Sequence, residues 1–148
     1  MDDVAPIEIL LVEDNPADAE MTLRVLRRHQ VAARVEWLKD GAEAIDYMLR
    51  RGSYADRAKG NPQLILLDLK MPKLDGIDVL RALKGDPSTR TVPVVMLTSS
   101  NQENDIARSY DLGVNSYVVK PVEFDKFVDA ISKLGIYWTL MNKIPGPP

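Results

Sequence analysis

Acidic, hydroxyl and basic residues in this sequence stand at the ends of apolar runs, where they could act together. Asp68 follows "LILL", and the pair Glu13-Asp14 follows "IEILLV". Thr98 ends "VVMLT", and Lys120 ends "NSYVVK". A carboxylate at the end of a buried strand is costly unless solvent or a cation compensates its charge. These residue types therefore predict a site where carboxylates, a hydroxyl and an ammonium converge.

The chemistry that such a set favours is phosphoryl transfer onto a carboxylate. Clustered carboxylates repel one another, and a hard cation such as Mg²⁺ relieves the repulsion while leaving room for phosphate oxygens. Lys120 could pair with a carboxylate in one state and with a phosphoryl oxygen in another, and Thr98 could donate to that oxygen. Asp side chains form aspartyl-phosphates. Asp68, central in the set, is the predicted nucleophile, with Mg²⁺ as cofactor.

Each of these residues also has an ordinary structural explanation. An Asp after a strand often begins a turn, a strand-terminal Thr reflects β-propensity, and "KP" often begins a helix. Only their joint occurrence at strand ends favours the chemical interpretation. His29, the single histidine, stands among arginines at a helix end, where a cation suits the helix dipole. With one His and no Cys, the composition argues against a zinc site.

The elements that must position these residues are five strands and five helices in strict alternation. Alternation of this kind predicts parallel strands joined by right-handed crossovers, in a doubly wound α/β fold. Ligand sites in such sheets lie beyond the carboxyl ends of the strands. The predicted strands cover 7–12, 32–38, 63–68, 94–98 and 115–120, and the predicted helices cover 16–30, 41–51, 75–85, 101–113 and the segment from 121.

Composition narrows the class of protein. The 148 residues are 45% hydrophobic and 28% charged with a net charge of −3, which is typical of a globular domain and gives no basic face for DNA. No apolar run approaches the ~18 residues of a membrane span, and the acidic N-terminus lacks the pattern of a secretory signal. We expect one cytoplasmic domain over 1–143, with a C-terminal extension from about 134. Residues 144–148 are predicted to be a flexible tail.

Four motifs together resemble the receiver domain of two-component response regulators. They are "LLVEDNP", "LLDLKMPKLDG", "VVMLTSS" and "NSYVVKP", and they run in order over nearly the whole chain. The phrase "VEDNPADA", the long insert after the second helix and the length resemble the phytochrome-associated, single-domain subfamily. The resemblance implies a flavodoxin-like, five-stranded parallel sheet in the order 2-1-3-4-5, with five helices.

The resemblance also implies roles for individual residues. Asp68 matches the phosphoacceptor. Glu13 and Asp14 match the acids that bind the metal together with Asp68, and the backbone carbonyl of Lys70 matches a further ligand. Thr98 matches the switch hydroxyl.

Two positions near the end of the chain complete the set. Tyr117 matches the switch aromatic, and Lys120 matches the lysine that contacts the phosphoryl group, with a cis bond expected before Pro121. The implied function is that of a phosphoacceptor, not a turnover enzyme. A histidine kinase, of the phytochrome type by the subfamily resemblance, would donate the phosphoryl group. The face formed by helix 4, strand 5 and helix 5 would then change shape.

The segment "LGIYWTLMNKIP" leaves two interpretations open. Its apolar residues either cover their own domain or join helix 4, strand 5 and helix 5 in a homodimer contact. The subfamily resemblance favours the dimer. The residues concerned are Ile136, Tyr137, Trp138, Leu140 and Met141.

Other functions fit the residues less well. A phosphohydrolase resembling the haloacid dehalogenase group needs a second acid two residues after the nucleophile, where this chain has Lys70. A nucleotide-binding protein would show a Gly-rich phosphate loop, and none is present. A pseudo-receiver that only binds proteins is the remaining alternative, which the complete set of site residues disfavours. Lys70 and Ser99 depart from the commoner residues of the family, with no clear direction of effect.

Overall fold

The computed structural model describes residues 8–29, 31, 33–58, 60–99 and 103–135, with the backbone alone for 103–105 and 107. Most of the predicted C-terminal extension, including Ile136 to Met141, and the predicted tail lie outside the described residues. The dimer contact predicted for that segment therefore stays a prediction.

Strands and helices alternate along the described chain, as predicted. A short 3-10 helix, Gly52–Tyr54, follows the second helix. The strands are β1 Glu8–Val12, β2 Arg34–Leu38, β3 Leu64–Asp68, β4 Val94–Thr98 and β5 Ser116–Val119. The helices are α1 Pro16–Arg28, α2 Gly41–Leu49, α3 Gly76–Lys84, α4 Glu103–Asp111 and α5 Phe124–Ser132.

The strands form one parallel sheet in the order β2-β1-β3-β4-β5, which confirms the predicted fold class. Asp68 on β3 pairs with Leu97 on β4, and Thr98 pairs with Val119 on β5. Because all strands run in one direction, the residues that follow β1, β3, β4 and β5 meet at one edge of the sheet.

Both faces of the sheet are buried along its central strands, β1, β3 and β4. Alternate side chains of β1 and β3 face opposite layers, and their apolar residues are fully buried. One layer packs Leu10 and Leu67 against α2 and α3, and the other packs Leu11 and Leu66 against α1 and α5. Burial on both faces explains why these strands read as continuous apolar runs rather than alternating ones.

The start of α3 packs directly on the end of β3. Asp75 caps the helix, because its side chain accepts from the backbone N–H of Asp78. The side chain of Asp78 in turn accepts from the backbone N–H of Asp75. A Cβ added at Gly76 would lie 2.5 Å from the backbone oxygen of Asp68. The glycine therefore permits the close approach that holds the backbone of Asp68 in place.

Helix ends depart from the prediction where the backbone turns. The second helix stops at Leu49 instead of 51, because Arg50 takes a left-handed conformation with φ 56°. The guanidinium of Arg50 then donates to the backbone oxygens of Ala58 and Gly60 and fixes the path of the insert. Among the described residues, no helix has the length and apolar character needed to cross a membrane.

Candidate functional site

Three carboxylates come together at the carboxyl edge of the sheet. Glu13 and Asp14 follow β1, and Asp68 ends β3; one oxygen from each lies within 4.8 Å of the other two. Glu13 is fully buried and Asp68 is 3% exposed, whereas Asp14 is half-buried. An all-oxygen donor set of this size fits a hard divalent cation. The geometry agrees with the predicted metal ligands, although their binding of a metal stays a prediction.

The ammonium of Lys120 enters this cluster from the end of β5. Its Nζ lies 3.3 Å from Oδ1 of Asp68, 3.1 Å from Oε1 of Glu13 and 2.9 Å from Oδ2 of Asp18. The ammonium donates to Glu13 and Asp18 and forms an ion pair with Asp68. The backbone N–H of Lys120 donates to the oxygen of Thr98 at 2.7 Å, and the bond to Pro121 is cis, as expected.

Asp18 was not predicted from the sequence. It occupies the first turn of α1, where its own N–H donates to the side chain of the capping residue Asn15 at 3.0 Å. An acid in a first turn is common because it suits the helix dipole, so its type gave no functional signal. The usable signal was positional, since a helix that follows β1 begins at the same edge where the strands end.

The acidic cluster carries more negative charge than one lysine balances. Burial, and then the hydrogen bond and charge of Glu13, raise the pKa of Asp68 to about 8, although Lys120 acts in the opposite direction. For Lys120, burial acts to lower the pKa, but Asp18, Asp68 and Glu13 outweigh it and raise the pKa above the usual lysine range. The remaining repulsion is what a divalent cation would relieve.

The backbone at Glu13 is fixed from the side of β2. The indole Nε1 of Trp37 donates to the backbone oxygen of Glu13 at 2.8 Å, and the N–H of Glu13 donates to the oxygen of Leu38 at 3.0 Å. The carboxylate of Glu13 also accepts from the N–H of Asn15 at 3.2 Å. Such contacts hold the acids in place before any ligand arrives.

Comparison with known proteins shows the family. The model of the response regulator receiver domain matches residues 9–132. The chain belongs to the response regulator receiver family.

Similar proteins agree with this assignment. The bacteriophytochrome response regulator AtBRR has a solved structure with 53% identity and a TM-score of 0.85, covering 95% of this receiver and 100% of that chain. The solved structure of phosphorylated RcpA, a cyanobacterial phytochrome response regulator, has 38% identity and a TM-score of 0.76, covering 96% of this chain and 100% of that chain.

Two curated relatives also span most of the receiver. Rcp1 of Synechocystis is 36% identical over 140 residues, covering 95% of this chain and 94% of its own length. The solved Mn²⁺-bound form of Rcp1 has a TM-score of 0.74, covering 97% of this chain and 100% of that chain. The probable methanogenesis regulatory protein FilR2 of Methanothrix harundinacea is 41% identical over 143 residues, covering 96% of this chain and 90% of its own length.

The predicted switch residues of the receiver lie in different surroundings. Thr98 is buried at the end of β4, one residue beyond the strand partner of Asp68. Tyr117 is 40% exposed and packs edge-on against Tyr110, with ring centroids 6.3 Å apart. With exposed Val119, these tyrosines form an apolar patch over β5 and α4, here called the β5 patch. The structure holds one arrangement of these residues, and their switching stays a prediction.

The structure also describes three other residues that were considered from the sequence. Lys70 follows Asp68 by two positions and its side chain is exposed. Ser99 is exposed and lines a cleft of about 290 Å³ together with Asp18 and Lys120. The ring of His29 stacks on Phe124, with centroids 3.9 Å apart, which favours the structural interpretation of that histidine.

Proposed function

We propose that this chain is a stand-alone response regulator that accepts a phosphoryl group on Asp68 from a histidine kinase in a Mg²⁺-dependent reaction. One observation carries the proposal. In a receiver fold, the Asp68 carboxylate lies in an acidic cluster of 4.8 Å span and 3.3 Å from the ammonium of Lys120. The relatives among phytochrome response regulators favour a kinase of the phytochrome type.

The donors present fit Mg²⁺. Glu13, Asp14 and Asp68, with the backbone carbonyl of Lys70, would hold the ion, which when bound neutralises charge on the phosphoryl oxygens. The Mn²⁺-bound form of Rcp1 supports a divalent ion in a related receiver. A cation here would also lower the pKa of Asp68, because it opposes the burial and the charge of Glu13 that raise it.

The protein residues accomplish the transfer by position and charge. A carboxylate oxygen of Asp68 attacks phosphorus, the new P–O bond forms, and the P–N bond of the donor phosphohistidine breaks, its electron pair leaving with the imidazole. Lys120 neutralises negative charge on a phosphoryl oxygen, and the Thr98 hydroxyl donates to another. Hydrolysis of the product would be slow, so the chain is a phosphoacceptor and not a turnover enzyme.

The output is a change in a protein-binding face. Phosphorylation adds up to about two negative charges and several acceptor oxygens, which would attract Thr98 and Lys120. Movement of Thr98 would let Tyr117 turn inward and would change the β5 patch. An exposed apolar patch of this kind supports a homodimer through α4, β5 and α5, extended by the C-terminal segment. No DNA or membrane contact is proposed, and the expected location is the cytoplasm.

A constitutive, protein-binding pseudo-receiver is the alternative. It requires no reactive site, whereas here Asp68 and Lys120 are positioned within contact distance at 3.3 Å. The β5 patch alone would serve either function, so only phosphorylation separates them.

Phosphorylation is tested with a small phospho-donor such as acetyl phosphate. With Mg²⁺ the mass should rise by about 80 Da, as expected for one phosphoryl group, and it should not rise in EDTA. Asp68→Asn should abolish the increase, and Asp111→Asn, an exposed acid at the end of α4, should leave it unchanged. An unmodified wild-type chain would favour the pseudo-receiver, and labelling of Asp68→Asn would refute the choice of acceptor.

A further inference from the structure

Lys120 pairs with a carboxylate, that of Asp18, which is not one of the three acids of the acidic cluster. Its shortest ion pair, 2.9 Å, is with Asp18 on α1, compared with 3.1 Å to Glu13 and 3.3 Å to Asp68. Within the described part of the chain, the group that could hold a metal comprises Glu13, Asp14 and Asp68 but not Asp18. The contact between Asp18 and Lys120 therefore needs a reason other than metal ligation.

Asp18 is well placed to hold the lysine on one side of the site. Its backbone N–H is bonded to the side chain of Asn15, so the first turn of α1 is fixed. The side chain of Asp18 is 37% exposed, whereas that of Lys120 is 10% exposed. The ammonium thus bridges two buried acids and one that is partly in contact with water.

A divalent cation would compete with Lys120 for two of the same carboxylates, Glu13 and Asp68. When the cation takes Glu13 and Asp68, an ammonium in a mostly buried position would lose two partners, and an unpaired buried charge is strongly unfavourable. Asp18 remains available, because it is not one of the candidate ligands.

We propose that Asp18 is a positioning residue that retains Lys120 while a divalent cation occupies Glu13 and Asp68. It favours cation binding by keeping the displaced ammonium paired, and it holds Lys120 beside the position of the incoming phosphoryl group. The inference rests on one part of the proposed function, the binding of a divalent cation by the acidic cluster. It does not depend on phosphoryl transfer to Asp68.

The effect on cation affinity should act through the lysine. Asp18→Asn should weaken Mg²⁺ binding about 3- to 10-fold, the range expected for losing one partly buried ion pair. In a Lys120→Met background the same change should have less than about a 2-fold effect, because the coupled partner is gone. A simple loss of negative charge near the site would weaken binding equally in both backgrounds.

The measurement is an NMR titration with MgCl₂ that follows the indole N–H of Trp37, which donates to the backbone of Glu13. It needs the wild type, Asp18→Asn, Lys120→Met and the double variant, with amide spectra to verify folding. Glu20→Gln is the matched control, because Glu20 is an exposed acid of the same helix that pairs with arginines. Asp18→Glu, which keeps the charge, should restore most of the affinity.

The outcomes separate the inference from the proposed function. A wild type that shows no Mg²⁺ response overturns both the metal part of the proposed function and this inference. A normal wild type with an unchanged Asp18→Asn affinity overturns the inference alone. So does a weakening that persists in the Lys120→Met background, or one that Glu20→Gln reproduces. Weakening that requires Lys120 supports the positioning role.

Discussion

Asp68 should make the free protein less stable as the pH rises. In the folded chain its pKa is raised to about 8 from 3.8, because of burial and then of Glu13. Between these two pH values the folded state binds a proton that the unfolded state has lost. The stabilisation from that proton is complete below the unfolded pKa and is lost as the pH rises through the folded pKa. Asp68→Asn removes this titration while keeping nearly the same volume.

The pKa shift sets an upper limit for the effect. About four pKa units at ~1.4 kcal/mol each give roughly 5 to 6 kcal/mol between the two ends of the window. The substitution also removes a partner of Lys120, so the expected gain in unfolding free energy at about pH 8.5 without divalent cations is nearer 2 kcal/mol. For a chain of this size that corresponds to a Tm higher by about 4 to 8 °C.

Thermal and urea unfolding in EDTA, from about pH 5 to about pH 9, would measure this gap between variant and wild type. The gap should widen as the pH rises and level off above the folded pKa, while Asp111→Asn should follow the wild type. Added Mg²⁺ should stabilise the wild type more than Asp68→Asn and so narrow the gap. A variant less stable than wild type at high pH in EDTA, or a gap independent of pH, would refute the electrostatic reasoning.

Two further substitutions test how the fold supports the site. Gly76→Ala should lower the unfolding free energy by about 1 to 3 kcal/mol, because the new Cβ would meet the backbone oxygen of Asp68 at 2.5 Å. Urea denaturation measures this change in unfolding free energy. An unchanged stability would contradict the close packing of α3 on the end of β3. Tyr47→Phe should cost about 1 to 2 kcal/mol, since the buried Glu8 carboxylate loses its hydroxyl donor. Tyr54→Phe removes a less buried hydrogen bond, to Glu43, and should therefore lower the unfolding free energy by less than Tyr47→Phe. If the two substitutions lowered it equally, burial would not be what makes the Tyr47 bond important.

The fold was predictable because its main signal is local. Continuous apolar runs separated by helical segments require parallel strands, and parallel strands bring the residues after β1, β3, β4 and β5 to one edge. Asp68 and Lys120 could therefore be placed together without any structure. Asp18 could not, because an acid in a first helical turn is equally explained by the helix dipole. The shortened second helix depended on the left-handed conformation of Arg50, which the residue type does not require.

The acidic cluster and the β5 patch are connected through β5, because the lysine of the cluster directly follows this four-residue strand. Ser116 and Val118 face the core, and Tyr117 and Val119 face outward, so Lys120 follows directly on an exposed residue of the patch. The N–H of Lys120 is bonded to the oxygen of Thr98, which ties both chain segments at the same point. In the proposed function, a phosphoryl group that draws Thr98 and Lys120 together would act on two neighbouring strand ends. It can shift the patch only if the inward arrangement of Tyr117 binds the phosphoryl state better, because a ligand moves an equilibrium no further than its difference in affinity for the two states.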